Sequence, residues 1–394
     1  MKCEALKILY IVNGNGLSDK LGGSLRRTIE IAKKFKEKGI ETYILTTMGG
    51  FKACKKFGMN ANYYILPSHI WKNKEDTIFD RIISYLISTL FSFIFIPKLP
   101  KVDVVYTDSD YFCDIIPALL YKIKYKNTKW IAMIHHKISV KKNTPFSFVT
   151  TCLSSILQKL DWLIIKKFAD NVFLLKTDMG KKIAKELNVP EKISFVLNGV
   201  DLNIIGSIKV KDKTYDACFL GGLRPNKGLY DIVPIWREVC KYKSDAKLII
   251  IGHIDPVYKR YLEKEIKKYN LEKNIISIGF VKEDDKIKYM KRSRVFIFPS
   301  HEEGFGMAIL EAMACELPVV AFDLPTYDDI FKKGLIKISN KDIIIFANII
   351  IELLKNENKR IMLAKDAKKF VREYDWYKIA EREKRIIKML VLKQ

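Results

Sequence analysis

Short apolar runs alternate with segments of helical periodicity along the whole chain of 394 residues. The runs have the length and composition of buried strands, and apolar residues recur every three or four positions between them, as in residues 25–38 and 177–187. Such alternation is typical of βαβ units that build parallel sheets. The strand candidates form two series, namely residues 7–12, 42–45, 102–106, 130–134 and 171–175, then 217–220, 247–251, 275–278, 295–298 and 319–322. The pattern therefore predicts an α/β chain with two Rossmann-like domains.

The boundary between the two domains is expected within residues 203–216, where Gly206 and several charged residues separate the two series. The length agrees with two domains, since one domain usually holds about 100–200 residues. We assign residues 1–205 to the first domain and begin the second domain at residue 206.

The chain carries 70 Lys and Arg residues against 45 Asp and Glu residues, a net charge of +25. A surplus of this size favours polyanionic partners such as nucleic acids, anionic lipid head groups or phosphorylated substrates. No nucleic-acid-binding motif accompanies the charge, so we expect no nucleic acid partner. A basic nucleic-acid-binding protein is the alternative from another functional class. The hydrophobic content of 48% excludes a disordered chain.

The cysteines point to a reducing compartment. Seven cysteines lie far apart in the sequence, and none forms a C-x-x-C pair. An odd number argues against a full disulfide framework and favours reduced, mostly buried thiols. No signal-peptide pattern precedes the strand candidate at residues 7–12. We therefore expect a cytoplasmic location.

Residues 82–97 contain no charged side chain. The stretch is shorter than the about 20 apolar residues that a membrane span needs. Two interpretations stay open: a helix packed within the first domain, or an interfacial patch in peripheral contact with the inner face of a membrane. In the second case, nearby lysines would contact lipid head groups, namely Lys122, Lys124, Lys126, Lys129, Lys137, Lys141 and Lys142.

Residues 295–322 are the most informative stretch. An apolar strand is followed by the polar loop 301–306, and a helix begins near Met307. The first N–H groups and the dipole of a helix favour an anionic ligand, and glycines such as Gly304 and Gly306 let it approach the backbone. We expect an anion site at this position.

Glu311 is the one polar residue in the otherwise apolar helix that begins at Met307. A helix that is apolar all round is usually buried, and a buried carboxylate is costly without a partner. The partner is either a structural Lys or Arg elsewhere in the chain or the two hydroxyls of a sugar diol. Glu303, in the preceding loop, is placed to contact further hydroxyls.

The spacing of Glu303 and Glu311 around E-G-F-G resembles the signature of the retaining GT-B glycosyltransferases of family 4, the group 1 glycosyltransferases. The resemblance extends over the whole chain, through Gly22-Gly23, Asn198-Gly199-Val200-Asp201, Phe219-Leu220-Gly221, Lys227-Gly228 and Tyr374-Asp375-Trp376. It implies the GT-B fold, in which two Rossmann-like domains face each other across a cleft. The second domain would then span residues 206–375, and residues 376–394 would form a helix that returns to the first domain.

The resemblance implies a nucleotide-diphosphate sugar as donor, held mostly by the second domain. Glu311 would bind the ribose hydroxyls, Glu303 would lie near the transferred sugar, and Lys227 would neutralise the diphosphate leaving group. The other donor-binding positions implied are Gly22, Gly23, Gly221, Gly304, Phe305 and Gly306. No obligatory metal and no other cofactor is expected, because Lys227 covers the role of a cation.

One position departs from the family pattern. The arginine of the family's G-R-L motif falls on Gly222 here, and Arg224 follows two residues later. Either Arg224 takes over the contact with the diphosphate or the site works with Lys227 alone. We favour Arg224, since more than one cation stabilises a leaving diphosphate better.

His135 and His136 follow the strand candidate at residues 130–134. Ligands bind beyond the carboxyl ends of parallel strands, and the resemblance implies a histidine here beside the transferred sugar. His135 is the better match and His136 the alternative, with substrate contact expected and not nucleophilic attack. Asp108 and Asp110 form a D-x-D motif, which holds a metal in another glycosyltransferase fold. We interpret it here as a short acidic loop.

The sequence thus predicts an enzyme that transfers a hexosyl unit from a nucleotide-diphosphate sugar to an acceptor hydroxyl, with retention of anomeric configuration. The acceptor would be a glycan or a lipid-linked molecule, in glycan, glycolipid or polysaccharide synthesis. A GT-B epimerase of nucleotide sugars or a glycan phosphorylase is the alternative within the same fold.

Overall fold

The structure is a computed structural model that describes residues 5–15, 22–68, 78–138 and 145–392. The chain divides into two units, of which the first runs to Asn198 and includes the segment from Trp376 onwards. The second unit is Gly199–Asp375. The sequence analysis ends the first domain at residue 205, so the observed division comes a few residues earlier. Val200 already belongs to the second unit because its N–H donates to the carbonyl oxygen of Tyr374, in the same unit, at 2.8 Å.

Lys141 and Lys142, named above, and Cys3, one of the seven cysteines, lie outside the described residues. The cysteines that the structure describes are all free thiols. Cys54, Cys113, Cys218 and Cys315 are buried, and Cys152 and Cys240 are half-buried. This agrees with the expected reduced, mostly buried thiols.

The first unit is a parallel sheet covered by helices. Its elements are β1 Lys7–Val12, α1 Gly23–Glu37, β2 Glu41–Thr47, α2 Met48–Lys56, β3 Asn62–Leu66, α3 Ile78–Phe95, β4 Val104–Thr107, α4 Phe112–Lys124, β5 Lys129–Ile134, α5 Pro145–Phe168, β6 Asn171–Leu175, α6 Asp178–Leu187 and β7 Ile193–Val196. The strands lie in the order β3-β2-β1-β4-β5-β6-β7. The order changes direction between β1 and β4, and such a switch point opens a crevice at the carboxyl ends of the strands.

The second unit has the same plan. Its elements are α7 Leu202–Ser207, β8 Tyr215–Leu220, α8 Ile232–Tyr242, β9 Leu248–Ile251, α9 Pro256–Lys268, β10 Ile275–Gly279, α10 Glu283–Lys291, β11 Ser293–Phe298, α11 Met307–Ala314, β12 Val319–Phe322, α12 Pro325–Ile330, β13 Leu335–Ile338, α13 Ile343–Lys355 and α14 Glu357–Val371. The strands lie in the order β10-β9-β8-β11-β12-β13, with the switch point between β8 and β11. Every strand that the sequence predicts is present in one of the two sheets.

The central strands of both sheets are buried and apolar, because helices cover both of their faces. Three strands that the sequence analysis did not predict, β3, β7 and β13, all lie at sheet edges. Their residues are mostly half-buried. An edge strand has a neighbour on one side only, so its sequence need not be a continuous apolar run.

Helix α15 (Trp376–Leu392) packs against α1. Arg27 of α1 is fully buried, forms an ion pair with Glu383 of α15 and donates to the hydroxyl of Tyr106 at 2.9 Å. A second ion pair, nearer to solvent, joins Lys38 to Glu381. The predicted return of the C-terminal helix to the first domain is confirmed.

The uncharged residues 82–97 lie mostly in α3, which begins at Ile78 and ends at Phe95. Across the described parts of the chain, no helix combines the length and the apolar character that crossing a membrane would require.

The D-x-D motif follows β4, and Asp108 and Asp110 are both buried. The carboxylate of Asp108 accepts a hydrogen bond from the amide of Asn15 at 2.7 Å. The carboxylate of Asp110 accepts from Gln158 at 2.8 Å and from Trp162 at 2.7 Å. Buried carboxylates need such donors, so the loop is a buried hydrogen-bonded turn. Within residues 5–15, 22–68, 78–138 and 145–392, no group of three or more His, Cys, Asp or Glu side chains is arranged to hold a metal ion.

Replacing Glu383 with Ala is expected to lower the free energy of unfolding by about 3–5 kcal/mol, because the buried guanidinium of Arg27 would lose its counter-charge. Chemical denaturation followed by circular dichroism measures this loss. The matched control on the same helix is Glu381→Ala, which removes the more exposed pair and should cost at most about 1 kcal/mol. Equal losses in the two variants would contradict the importance of the buried pair.

Candidate functional site

The second unit presents two loops at the carboxyl ends of its central strands. Residues 221–228 follow β8, and residues 299–306 follow β11. The two strands are paired neighbours at the point where the strand order changes direction, so their loops leave the sheet side by side. These two loops and the first turn of α11 are called the two-loop site below.

Close packing between Gly228 and Pro299 joins the two loops. Gly228 has φ of +86°, and a Cβ atom there would lie 2.4 Å from the carbonyl oxygen of Pro299. Only glycine accepts both this conformation and this contact. Ser300 Oγ lies 3.1 Å from the carbonyl oxygen of Asn226, to which the N–H of His301 also donates. The loops therefore form one continuous surface.

Lys227 and Glu303, two of the residues predicted from the sequence, are in direct contact. The ammonium of Lys227 forms an ion pair with the carboxylate of Glu303 and donates to the carbonyl oxygen of Glu302 at 3.0 Å. Ser300 Oγ lies 3.1 Å from the same carboxylate oxygen, and Thr326 donates to the carbonyl oxygen of Glu303 at 2.9 Å. Contacts within the chain thus hold a cation next to a carboxylate.

Helix α11 begins at Met307, where the sequence analysis expects it. Gly306 precedes it with φ of +96°, and no side chain caps the first turn. The first N–H groups of an α-helix have no acceptor within the helix. A Cβ on the exposed Gly304 would meet no atom within 4 Å, whereas Phe305 is buried. The open space therefore lies at Gly304, two residues before the cap of the helix.

Glu311 is buried on α11 and pairs with Lys286 at 3.0 Å. Lys286 belongs to α10 and also contacts Glu283 at 2.7 Å. It is the structural partner that one of the two interpretations of Glu311 requires, and the sequence analysis did not identify it. The available signal was its position one helical turn from the buried Met290, on the inner face of a polar helix.

Arg224 is exposed, and its guanidinium folds back towards Gly222. A Cβ atom on Gly222 would lie 3.8 Å from Nε and from one terminal nitrogen of Arg224. The guanidinium therefore lies in the space where a longer side chain at position 222 would begin. Gly221 comes directly after β8 and donates its N–H to the carbonyl oxygen of Ile251 at 2.9 Å.

His301 and Asp231 form a contact that the sequence analysis did not predict. Nε2 of His301 lies 2.6 Å from a carboxylate oxygen of Asp231, which precedes α8. The contact ties the loop after β11 to the start of α8. Both residues border predicted motifs, but nothing in the sequence pairs them.

The other predicted site residues belong to the first unit. Gly22 is the N-terminal cap of α1 and Gly23 its first residue, and no side chain caps this helix. After β1, the N–H of Asn13 donates to the buried carboxylate of Asp114 at 2.6 Å. Burial raises the pKa of Asp114 to about 8.

His135 comes directly after β5 and is half-buried, and its Nε2 lies 2.9 Å from the carbonyl oxygen of Asp108. Burial lowers the pKa of His135 to about 3, and the charges of Arg27 and His136 act in the same direction. The imidazole is therefore neutral at pH 7. Because a carbonyl oxygen only accepts, Nε2 carries the proton and Nδ1 is an acceptor. The alternative, His136, is exposed.

Comparison with known proteins finds a family match within the second unit. The sequence model of the glycosyl transferases group 1 matches residues 200–370, which include both loops of the two-loop site. The resemblance predicted from the motifs is therefore confirmed for this unit. The chain is a glycosyltransferase that is similar to the group 1 enzymes.

Two curated proteins illustrate the similarity. An uncharacterized glycosyltransferase of Methanocaldococcus jannaschii is 26% identical over 388 residues, which cover 89% of this chain and 97% of that protein. The N-acetylgalactosamine-N,N'-diacetylbacillosaminyl-diphospho-undecaprenol 4-alpha-N-acetylgalactosaminyltransferase of Campylobacter jejuni is 34% identical over 135 residues, which cover 34% of this chain and 36% of that protein.

Solved structures show the fold. The crystal structure of Anabaena HepE in complex with UDP-glucose superimposes with a TM-score of 0.74 at 16% identity, covering 98% of this chain and 100% of that one. The predicted GT-B fold class is confirmed, with Rossmann-like units of seven and six parallel strands.

The neutral state of His135 predicts how stability depends on pH. An unfolded histidine takes up a proton near a pKa of about 6.5, whereas the folded value is about 3. Between these values the unfolded state binds more protons, so the folded state loses stability as the pH falls. We expect His135→Gln to remove this contribution, so that its melting temperature falls less than that of the wild type between about pH 7 and pH 4.

The exposed neighbour supplies the control for this measurement. His136→Gln replaces the neighbouring histidine, whose side chain is exposed, and should keep the pH dependence of the wild type. A His135→Gln curve parallel to that of the wild type would show that His135 is not held neutral.

Proposed function

We propose that the chain transfers a hexosyl group from a nucleotide-diphosphate sugar to an acceptor hydroxyl with retention of anomeric configuration, and that the two-loop site holds the donor. The contact of Lys227 with Glu303 beside the start of α11 carries this proposal. It sets a cation and a carboxylate next to helical N–H groups, which together suit a diphosphate and sugar hydroxyls. HepE, which has the same fold, was solved with UDP-glucose.

In this proposal, the diphosphate lies against the N–H groups of Gly304, Phe305 and Gly306 and the first turn of α11. Lys227 and Arg224 neutralise the charge that develops on the leaving group. Fixed charges that face a developing anion are among the largest contributions to catalysis. With two cations supplied by the chain, the reaction as proposed needs no metal ion.

The two glutamates would bind the sugar parts of the donor. Glu303 accepts hydrogen bonds from hydroxyls of the transferred sugar, and Glu311 accepts from the ribose hydroxyls. A carboxylate offers about four acceptor positions, so the contact of Glu311 with Lys286 is compatible with further donors. Lys286 would then orient the carboxylate towards the ribose.

The proposed reaction breaks the bond between the anomeric carbon and the diphosphate oxygen while the acceptor oxygen bonds to the same face of the sugar. The acceptor proton passes to an oxygen of the departing diphosphate. The protein contributes positioning and charge stabilisation. In the first unit, we propose Nδ1 of the neutral His135 as an acceptor for a substrate hydroxyl, and Gly22 and Gly23 as backbone contacts.

The proposed acceptor is a glycan or a lipid-linked molecule, reached from the cytoplasmic face of a membrane by peripheral contact. The net charge of +25 favours an anionic surface or a phosphorylated acceptor. The relative from Campylobacter jejuni has a diphospho-undecaprenol compound in its name, which supports the lipid-linked class.

A panel of nucleotide-diphosphate sugars tested by thermal shift examines the donor assignment, since a ligand at 100 times its Kd adds about 2.7 kcal/mol of stability. We expect at least one sugar nucleotide to raise the melting temperature. Glu311→Gln should weaken its binding about 10- to 100-fold, because hydrogen bonds to a charged carboxylate are lost.

The matched control for this variant is Glu283→Gln, which changes the other glutamate in contact with Lys286 and should leave donor affinity within about twofold. Equal weakening in both variants would show that Glu311 acts only through Lys286. A panel without any stabilising sugar nucleotide would refute the proposed donor class.

Lys227→Ala is expected to lower kcat about 10²- to 10³-fold, similar to the loss of one oxyanion contact. Arg224→Ala should lower kcat less, since its guanidinium is exposed, whereas the ammonium of Lys227 is held by Glu303 and by the carbonyl oxygen of Glu302. Release of nucleoside diphosphate from the donor found in the panel measures both rates. The control is Lys273→Ala. Lys273 is exposed and precedes β10, at the amino ends of the strands, so this variant should keep the rate of the wild type. Turnover at that rate in Lys227→Ala would remove Lys227 from the mechanism.

A further inference from the structure

Helix α3 places small polar side chains inside and large apolar side chains outside. Its buried face consists of serines four residues apart, namely Ser84, Ser88 and Ser92. The hydroxyls of Ser88 and Ser92 donate to carbonyl oxygens one turn earlier in the helix, which satisfies them within the helix. The opposite face exposes Leu86, Leu90, Phe93 and Ile94, of which Leu90 is 66% exposed.

Helix α5 has the same inverted arrangement. Its buried face includes Gln158 and Trp162, whose side chains donate to the carboxylate of Asp110. Its exposed face carries an apolar stripe at intervals of three and four residues, namely Leu153, Ile156, Leu160 and Leu163. Leu163 is 60% exposed. A soluble helix normally turns such a stripe towards the core, so this stripe has no partner within the described chain.

The two apolar faces lie on the same side of the sheet. The connections from β3 to β4, from β4 to β5 and from β5 to β6 run in one direction along the sheet, and right-handed crossovers then place α3, α4 and α5 on one face. α4 packs against both α3 and α5, and its own Ile123 is exposed. The outer surfaces of α3 and α5 together are called the twin stripe below.

The twin stripe begins near the carboxyl ends of the strands, where the site residues of the first unit lie. α3 and α5 run opposite to the parallel strands, so their first turns lie near the carboxyl ends, where His135 follows β5. Tyr85 of α3 donates its hydroxyl to the carbonyl oxygen of Gly14, in the loop after β1, at 3.0 Å. A surface held against the twin stripe would therefore border this edge.

The exposed charged side chains that the structure describes along the twin stripe are lysines, and α3 carries no charge from residue 82 to residue 95. The acidic residues of α4 and of the described part of α5, Asp114 and Asp161, are both buried. Exposed lysines lie along α5 and at the ends of these helices, namely Lys98, Lys124, Lys126, Lys159 and Lys167. Apolar side chains fringed by lysines are the composition of helices that lie in the interface of an anionic bilayer.

We propose that the twin stripe docks the first unit on an anionic membrane surface, with the apolar side chains among the lipid chains and the lysines at the head groups. The inference rests on the proposed membrane contact and names the surface that makes it, including α5, which the sequence analysis did not consider. A second copy of the chain is the less favoured occupant, because two surfaces with the same lysine fringe on chains of net charge +25 repel each other.

Sedimentation with lipid vesicles tests this surface. Two variants each place two glutamates on one stripe: Leu86→Glu with Leu90→Glu on α3, and Leu160→Glu with Leu163→Glu on α5. The wild type should bind vesicles of phosphatidylcholine and phosphatidylglycerol, and bind vesicles of phosphatidylcholine alone more weakly. Each variant should lower the partition coefficient by at least about tenfold, because apolar burial is lost and negative charge is added.

A matched control adds the same two charges elsewhere. Ile344→Glu with Ile345→Glu on α13 changes side chains that are 53% and 50% exposed, compared with 52% for Leu160. This control should bind vesicles like the wild type. All variants replace exposed side chains, and their melting temperatures should stay close to that of the wild type, which excludes unfolding as the cause of any loss.

Three results would overturn the inference: a wild type that binds neither vesicle, stripe variants that bind like the α13 control, or a dimer in light scattering that the stripe variants dissociate while vesicle binding persists. Donor binding separates this outcome from the proposed function. The stripe variants should bind the sugar nucleotide like the wild type, and Glu311→Gln should bind vesicles like the wild type. Vesicle binding without any donor binding would refute the donor assignment and leave the docking surface intact.

Discussion

The two-loop site in the second unit depends on the close contact between Gly228 and Pro299, which holds its two loops together. With a methyl group at position 228, the two loops would have to separate, since the atom would lie 2.4 Å from the carbonyl oxygen of Pro299. Lys227 is the preceding residue, and its ammonium meets Glu303 and the carbonyl oxygen of Glu302 across this contact. The backbone conformation that only glycine accepts at position 228 therefore helps to set the distance between the ammonium of Lys227 and the carboxylate of Glu303.

In the first unit, consecutive residues of α1 connect the C-terminal helix to the position of His135. Arg27 pairs with Glu383 of α15, and its neighbour Thr28 donates to the carboxylate of Asp108. The carbonyl oxygen of Asp108 in turn accepts the hydrogen bond of His135. The carboxylates are buried here, so each requires a donor, and each donor then has a fixed place. Packing of α15 and the tautomer of His135 are therefore parts of one buried network.

The sequence was sufficient for the central strands and the fold class, because each follows from periodicity or from motifs within short stretches. It named Lys227 and Glu303 separately, but their ion pair joins residues 76 positions apart and did not follow from either motif. The edge strands β3, β7 and β13 were missed, since partial exposure removes the continuous apolar pattern on which the prediction depends. The pairing of Glu311 with Lys286 was missed for a different reason: it joins two helices through a tertiary contact. The D-x-D motif was interpreted as a short acidic loop, but its burial could not be predicted, because its hydrogen-bond donors come from distant residues such as Trp162.

Helix α3 shows why periodicity alone does not reveal which face of a helix is buried. Its sequence contains a serine face and an apolar face, and the usual rule would bury the apolar one. The structure buries the serines instead, and small side chains allow close packing against α4. Leaving Leu86 and Leu90 in water is unfavourable for the isolated chain, since burying apolar surface is the main source of folding free energy. An apolar phase that covers this face, as we propose, would remove that cost. Tyr85, on the same helix, bonds to the loop after β1, so the surface that we propose for lipid and the edge that carries His135 are held by one element.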